Sequence, residues 1–112
     1  MTVGIAGAAV YGAREVYRNR LAERSRADGL AAYVERDYET AMPLLSYAVT
    51  RDRNDLEVLR ALADSRAHVP EPGNRHLQSA AAMYRAVLDR DSTDLGALEA
   101  LVDVFGQLQY HV

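Results

Sequence analysis

The sequence predicts an all-α fold: about five helices forming antiparallel helix-turn-helix repeats stacked as an α-solenoid. Three observations carry this expectation. Asp55-Leu56-Glu57-Val58-Leu59-Arg60-Ala61-Leu62 returns 39 residues later as Asp94-Leu95-Gly96-Ala97-Leu98-Glu99-Ala100-Leu101. The same shift carries Ala41 onto Ala80, Leu45 onto Tyr84, Ala48 onto Val87, Arg51 onto Arg90 and Asp52 onto Asp91, and a match held across so many kinds of position marks a repeat array. Finally, apolar residues recur at helical spacing in a chain with only three prolines and no tryptophan, and in such arrays each unit buries its apolar face against its neighbours.

The segment from Thr2 to Ala13 is uncharged and rich in small residues. It is shorter than the roughly 18 to 20 apolar residues that span a bilayer. Residues 1–21 therefore read either as a weakly packed apolar N-terminus or as the end of a transmembrane anchor with an Arg-rich flank. In the second case the arginines place the repeats on the cytoplasmic side, and in the first the protein is cytoplasmic. From Arg14 to about Glu35 the chain can stay helical, with Val16, Leu21, Leu30 and Val34 as its larger aliphatics and Gly29 as a weak point. Asp37 and Tyr38 open a second helix with Ala41, Leu44, Leu45, Ala48 and Val49 on one face, and Pro43 is expected near its first turn, where a missing N–H is tolerable.

Arg53-Asn54-Asp55 breaks the chain, and Asp55 is placed to cap a third helix carrying Leu56, Leu59, Leu62 and Ala63. The run Val69-Pro70-Glu71-Pro72-Gly73-Asn74 is the strongest break. Leu77, Ala80, Ala81, Tyr84, Val87 and Leu88 form a fourth apolar face. Asp91-Ser92-Thr93-Asp94 closes that helix and caps a fifth, which carries Leu98, Leu101, Val102 and Phe105.

These residues resemble the tetratricopeptide repeat family, whose units are two antiparallel helices of about 34 residues. Ala41 and Ala80 match the family's small residue where the helices of a unit cross, Leu45 and Tyr84 the bulky position one turn later, and Ala48 and Val87 the next. Asp37-Tyr38-Glu39 resembles the family's opening turn. Gly29, Ala63 and Val102 fall at the small position of the first helices, and Leu62 and Leu101 at the usual leucine. The closing proline is replaced by Arg53 and Ser92, while Ser25 and Asp28 stand at positions expected to be apolar. The resemblance implies repeat 1 over 22–55, repeat 2 over 56–94 with an enlarged 69–76 loop, and the first helix of a truncated repeat 3 over 95–112.

No catalytic constellation is present: no nucleophile beside a base, no converging carboxylates and, with no cysteine in the chain, no thiolate site. No cofactor-binding motif or metal-ligand spacing appears either, and the chain reads as not an enzyme. His68 and His76 flank the Pro-Gly loop and read as solvated loop residues. Asp52, Asp55, Asp91 and Asp94 read as helix caps, because they lack the ligand alternation and glycine of a calcium loop.

The whole chain carries a net charge of -3. Five arginines and two glutamates make residues 1–26 positive by three, leaving the remainder negative by six. Such an acidic remainder argues against nucleic-acid binding.

The family's usual activity is binding in a concave groove lined by the first helix of each unit. The resemblance places Arg26, Leu30 and Tyr33 of unit one, Arg60, Asp64 and Ala67 of unit two, and Glu99 and Asp103 of unit three in that groove. The function expected is therefore a protein-protein interaction scaffold for a protein or peptide partner, within a longer membrane-tethered protein. The alternatives are a small self-associating structural protein, whose last helix buries Leu98, Leu101 and Phe105 against a second copy, and the docking region of a larger enzyme.

Overall fold

The computed structural model describes residues 2–110, with side chains over 12–109; Met1, His111, Val112 and the side chains of Thr2 to Tyr11 and of Tyr110 lie outside it. Five α-helices follow in order: α1 (Thr2–Val34), α2 (Tyr38–Arg51), α3 (Leu56–His68), α4 (Arg75–Arg90) and α5 (Leu95–Tyr110), with a 3₁₀ turn at Pro72–Asn74 before α4. No strand occurs among the described residues, so the fold is all-α. Each helix packs on the next, and α1 also meets α3 while α3 meets α5. The odd-numbered helices therefore share one side.

Two turns of the same design start α3 and α5. Asp52 and Asp91 accept the N–H of Asn54 and Thr93, each at 3.0 Å. Asp55 and Asp94 then cap the new helices by accepting from Val58 at 3.3 Å and Ala97 at 3.0 Å. These side chains fix each turn by local hydrogen bonds. Helix α1 ends differently: the Arg36 N–H returns to the Tyr33 carbonyl at 3.0 Å and the Asp37 N–H to the Ala32 carbonyl at 2.9 Å. Arg36 holds φ at +61° there, a position more often given to glycine. The loop before α4 turns through Gly73 and Asn74, both in the left-handed region.

Pro43 sits in the second turn of α2 and not the first, because Asp37 caps the helix by accepting from Thr40 and starts it at Tyr38. Helix α1 is unbroken through Gly29. That glycine is a contact and not a flaw: a Cβ there would stand 2.8 Å from Leu45 Cδ2 and 3.1 Å from Leu44 Cβ. The buried residues of α1 are small, Ser25 and Gly29, with Leu30, Ala32 and Tyr33 packed partly buried beside them, while Val16, Leu21 and Val34 stand exposed. Ser25 fills a position expected to be apolar, and Asp28 faces water. Small side chains let α1 lie close on α2, whose Leu45 is fully buried.

Two buried clusters result. Ala41, Leu45 and Ala48 of α2 pack with Val58, Ala61 and Leu62 of α3. The opposite side of α3, Leu59 and Ala63, packs with Leu77, Ala80, Ala81 and Tyr84 of α4, and Ala97, Leu101 and Val104 of α5 complete that cluster. Helix α3 is thus apolar on both flanks because it is covered on both. The inward face of α5 is set by Ala97, Leu101 and Val104, with Phe105 half-buried beneath Arg85, whose guanidinium lies 5.1 Å from the ring centre. Leu101 and Phe105 are consequently not an open face; Leu95, Leu98 and Val102 are.

Helix α1, at 33 residues, runs about 50 Å. At the end of α2, Arg51 donates to Glu15 and Asn19 of α1 at 3.1 and 3.2 Å. The molecule is elongated, 66 × 27 × 24 Å, with a radius of gyration of 17.6 Å against about 13 Å for a compact chain of this length. No described helix is long and apolar enough to cross a membrane.

Candidate functional site

A pocket of about 420 Å³ opens where α1, α3 and the turn before α5 meet. Its walls are Leu30, Tyr33 and Val34 from α1 and Leu56, Glu57, Arg60 and Ala61 from α3, and Asp94 closes one side. Leu30, Tyr33 and Arg60, which the family resemblance implies for a groove, are brought together here. They meet because α1 and α3 are neighbours on the same side of the helices that separate them in sequence.

Two arginines link successive odd-numbered helices. Arg26 of α1 donates to Asp55 at 2.7 Å and to Glu57 at 2.8 Å, at the N-terminus of α3. Arg60 of α3 donates to Asp94 at 3.0 Å, at the N-terminus of α5. The pairs span 29 and 34 residues. Each aspartate therefore caps its helix and also anchors the previous unit's arginine. The Arg26 guanidinium holds the Asp55 carboxyl below its ordinary pKa. Where Glu57 gives Arg26 a second acceptor, the equivalent position is Gly96, and a Cβ there would collide with the Arg60 guanidinium. Arg60 lies across the first turn of α5 with a single carboxylate partner and half its side chain exposed.

Behind the pocket, Asp64 of α3 accepts the hydroxyls of Tyr33 from α1 and Tyr84 from α4, joining three helices through one carboxylate. Burial first, and the adjoining Asp64 carboxylate second, push both phenols well above the ordinary tyrosine value. Asp64 is thus spent on internal bonds, and the Tyr33 ring forms part of the pocket wall with its hydroxyl already engaged.

The remaining expected groove residues are placed elsewhere. Arg26 is tied to Asp55 and Glu57 beside the pocket, and Ala67 packs against the second cluster. Glu99 and Asp103 are exposed on α5, outside the pocket. The wall contributed by Val34, Leu56, Glu57, Ala61 and Asp94 was not expected from sequence; the signal for Asp94 and Glu57 is the spacing of arginines and caps in the repeat.

Nor are the loop histidines both solvated. His76 is buried, and its Nδ1 accepts the Glu71 N–H at 3.0 Å, which holds the loop before α4. His68 is exposed but stacks on Tyr38 with ring centres 4.4 Å apart, its Nδ1 2.7 Å from the Asp64 carbonyl oxygen. Among the described residues no group of three or more His, Asp or Glu side chains is placed to hold a metal ion. No family model, curated protein or solved structure matches the chain.

Proposed function

We propose that the chain is a protein-interaction module of the tetratricopeptide kind, taking a peptide segment of its partner between α1 and α3. The observation that carries this reading is the pocket of about 420 Å³, whose open walls are apolar and whose rim holds Arg60. Its other charges are internally matched, since Glu57 pairs with Arg26 and Asp94 with Arg60. What remains for a ligand is a seat for one bulky apolar side chain between Leu30, Val34, Leu56 and Ala61, and a guanidinium edge for a nearby carboxylate. A segment pairing an aromatic or aliphatic residue with an acidic neighbour fits that chemistry.

Selection from a displayed random-peptide library tests the reading, with the wild-type chain as bait and Val34→Glu and Arg60→Gln as counter-baits. Val34 is exposed on the pocket wall and Arg60 half-exposed, so both variants should fold. Peptides enriched in an apolar-acidic pair that lose binding to both variants support the proposal. Peptides that bind all three chains equally, or no enrichment, overturn it.

A further inference from the structure

Six exposed large apolar side chains fall into two patches on the first and last helices: Val16, Tyr17 and Leu21 on α1, and Leu95, Leu98 and Val102 on α5. The internal repeat explains the second patch. Shifted by 39 residues, Leu59, Ala63 and Asp64 of α3 become Leu98, Val102 and Asp103 of α5. In α3, Leu59 and Ala63 are buried beneath Leu77, Ala80, Ala81 and Tyr84 of α4, and the Tyr84 hydroxyl donates to Asp64. Helix α5 therefore presents the surface on which a helix like α4 packs, including the carboxylate acceptor, with no described residue covering it.

Part of the covering pattern occurs a second time in the chain. Shifted back by 67 residues, the buried Ala80 and Tyr84 of α4 become Ala13 and Tyr17 of the first part of α1, its stem, and the flanking Met83, Arg85 and Leu88 become Val16, Arg18 and Leu21, while the buried Ala81 and Val87 are replaced by Arg14 and Arg20. Tyr17 is 67% exposed there, where its counterpart Tyr84 is 2% exposed. Arg14 and Arg18 line the Ala13–Tyr17 side of this stripe, and Arg20 and Arg24 the Tyr17–Leu21 side. Helix α5 holds Glu99 and Asp103 and no Arg or Lys.

We propose that the α1 stem of one copy packs on α5 of another as α4 packs on α3, with Ala13 and Tyr17 in the places of Ala80 and Tyr84 and the Tyr17 hydroxyl donating to Asp103. Charge favours the unlike pairing. Two α5 faces brought together would oppose Glu99 and Asp103 to their own copies, and two stems would oppose arginines, whereas stem on α5 sets arginine against carboxylate. Each copy then offers one stem and one α5 face. The contact is heterologous, so copies add head to tail.

Sedimentation velocity over a concentration series, on the full 112-residue chain, tests this with two variants that each disable one end, Tyr17→Glu and Val102→Glu. The wild type should pass beyond dimer as concentration rises, and each variant alone should remain monomeric. An equimolar mixture of the two variants retains one intact stem and one intact α5 face per pair, and should form dimers and nothing larger. Tyr17→Phe keeps the ring and should weaken association about 3- to 10-fold, the worth of one hydrogen bond. Thermal melts matching wild type confirm that the variants are folded, as expected for exposed positions. A wild type that stays monomeric, one that stops at dimer, or a variant mixture that stays monomeric overturns the proposal.

Discussion

Replacing Asp64 by alanine removes the acceptor shared by two tyrosine hydroxyls, and the two respond differently. Tyr84 is 2% exposed, so its hydroxyl loses its partner where water cannot replace it, which costs about 1 to 3 kcal/mol. Tyr33 is only half-buried and can turn its hydroxyl to solvent, adding roughly 0.5 kcal/mol. The expected loss is about 2 to 3 kcal/mol, or about 10 °C in melting temperature for a chain of this size. The informative comparison adds Tyr84→Phe. In the wild type it deletes a satisfied hydrogen bond and should destabilise by about 1 kcal/mol. In the Asp64→Ala background it deletes an orphaned hydroxyl and should restore about 1 kcal/mol. Thermal and urea denaturation of the four proteins measures the reversal of sign. If Tyr84→Phe costs the same in both backgrounds, the hydroxyl and carboxylate are not coupled and the three-helix junction is wrong.

Three further outcomes follow from the same geometry. Because Tyr33 and Tyr84 are held above the ordinary phenol pKa of 10.0, the stability they contribute is present below about pH 10 and should fall as pH rises beyond it, since the unfolded chain ionises first; a pH series of urea melts should show this, with a shallower fall in Asp64→Ala. Gly29→Ala gains about 1 kcal/mol of helix propensity but forces a Cβ against Leu44 and the fully buried Leu45, an overpacking cost of about 1 to 3 kcal/mol; it should be no more stable than wild type, while Gly106→Ala, with open space around it, should gain up to about 1 kcal/mol. Asp55→Ala loses both cap and ion pair and should cost about 1 to 2 kcal/mol, whereas Asp55→Asn keeps the cap and should cost less; since the folded pKa of Asp55 is lowered, its contribution is present above the ordinary carboxylate range and lost on acidification, and Asp55→Asn should flatten that acid limb.

The helices were legible because their boundaries are written in local chemistry. Asp37, Asp55 and Asp94 announce N-termini by their capping side chains, and Pro70, Pro72 and Gly73 cannot continue a helix. The inner face of α1 was not legible, because Ser25 and Gly29 carry little hydropathy and are buried for their smallness. On α5 the apolar pattern alone could not separate Leu101, covered by α4, from Leu98 and Val102, which face away from it. At the site, Leu30, Tyr33 and Arg60 came only from the family resemblance, and the engagement of Arg60 with Asp94 and of Asp64 with two tyrosines depends on contacts between helices distant in sequence. His76 was misread because its partner is a backbone N–H of the loop before α4, which no side-chain pattern reveals.

The repeat register underlies every assignment above, and it is tested most directly by leucine at two neighbouring alanines of α4. Ala80 is fully buried against Leu59 and Ala63, where the second unit's helices cross, and Ala82 is exposed on the same helix. Thermal denaturation of Ala80→Leu should show a loss of about 1 to 3 kcal/mol from overpacking, with Ala82→Leu within about 0.5 kcal/mol of wild type. A neutral Ala80→Leu, or equal effects at the two positions, would contradict the account.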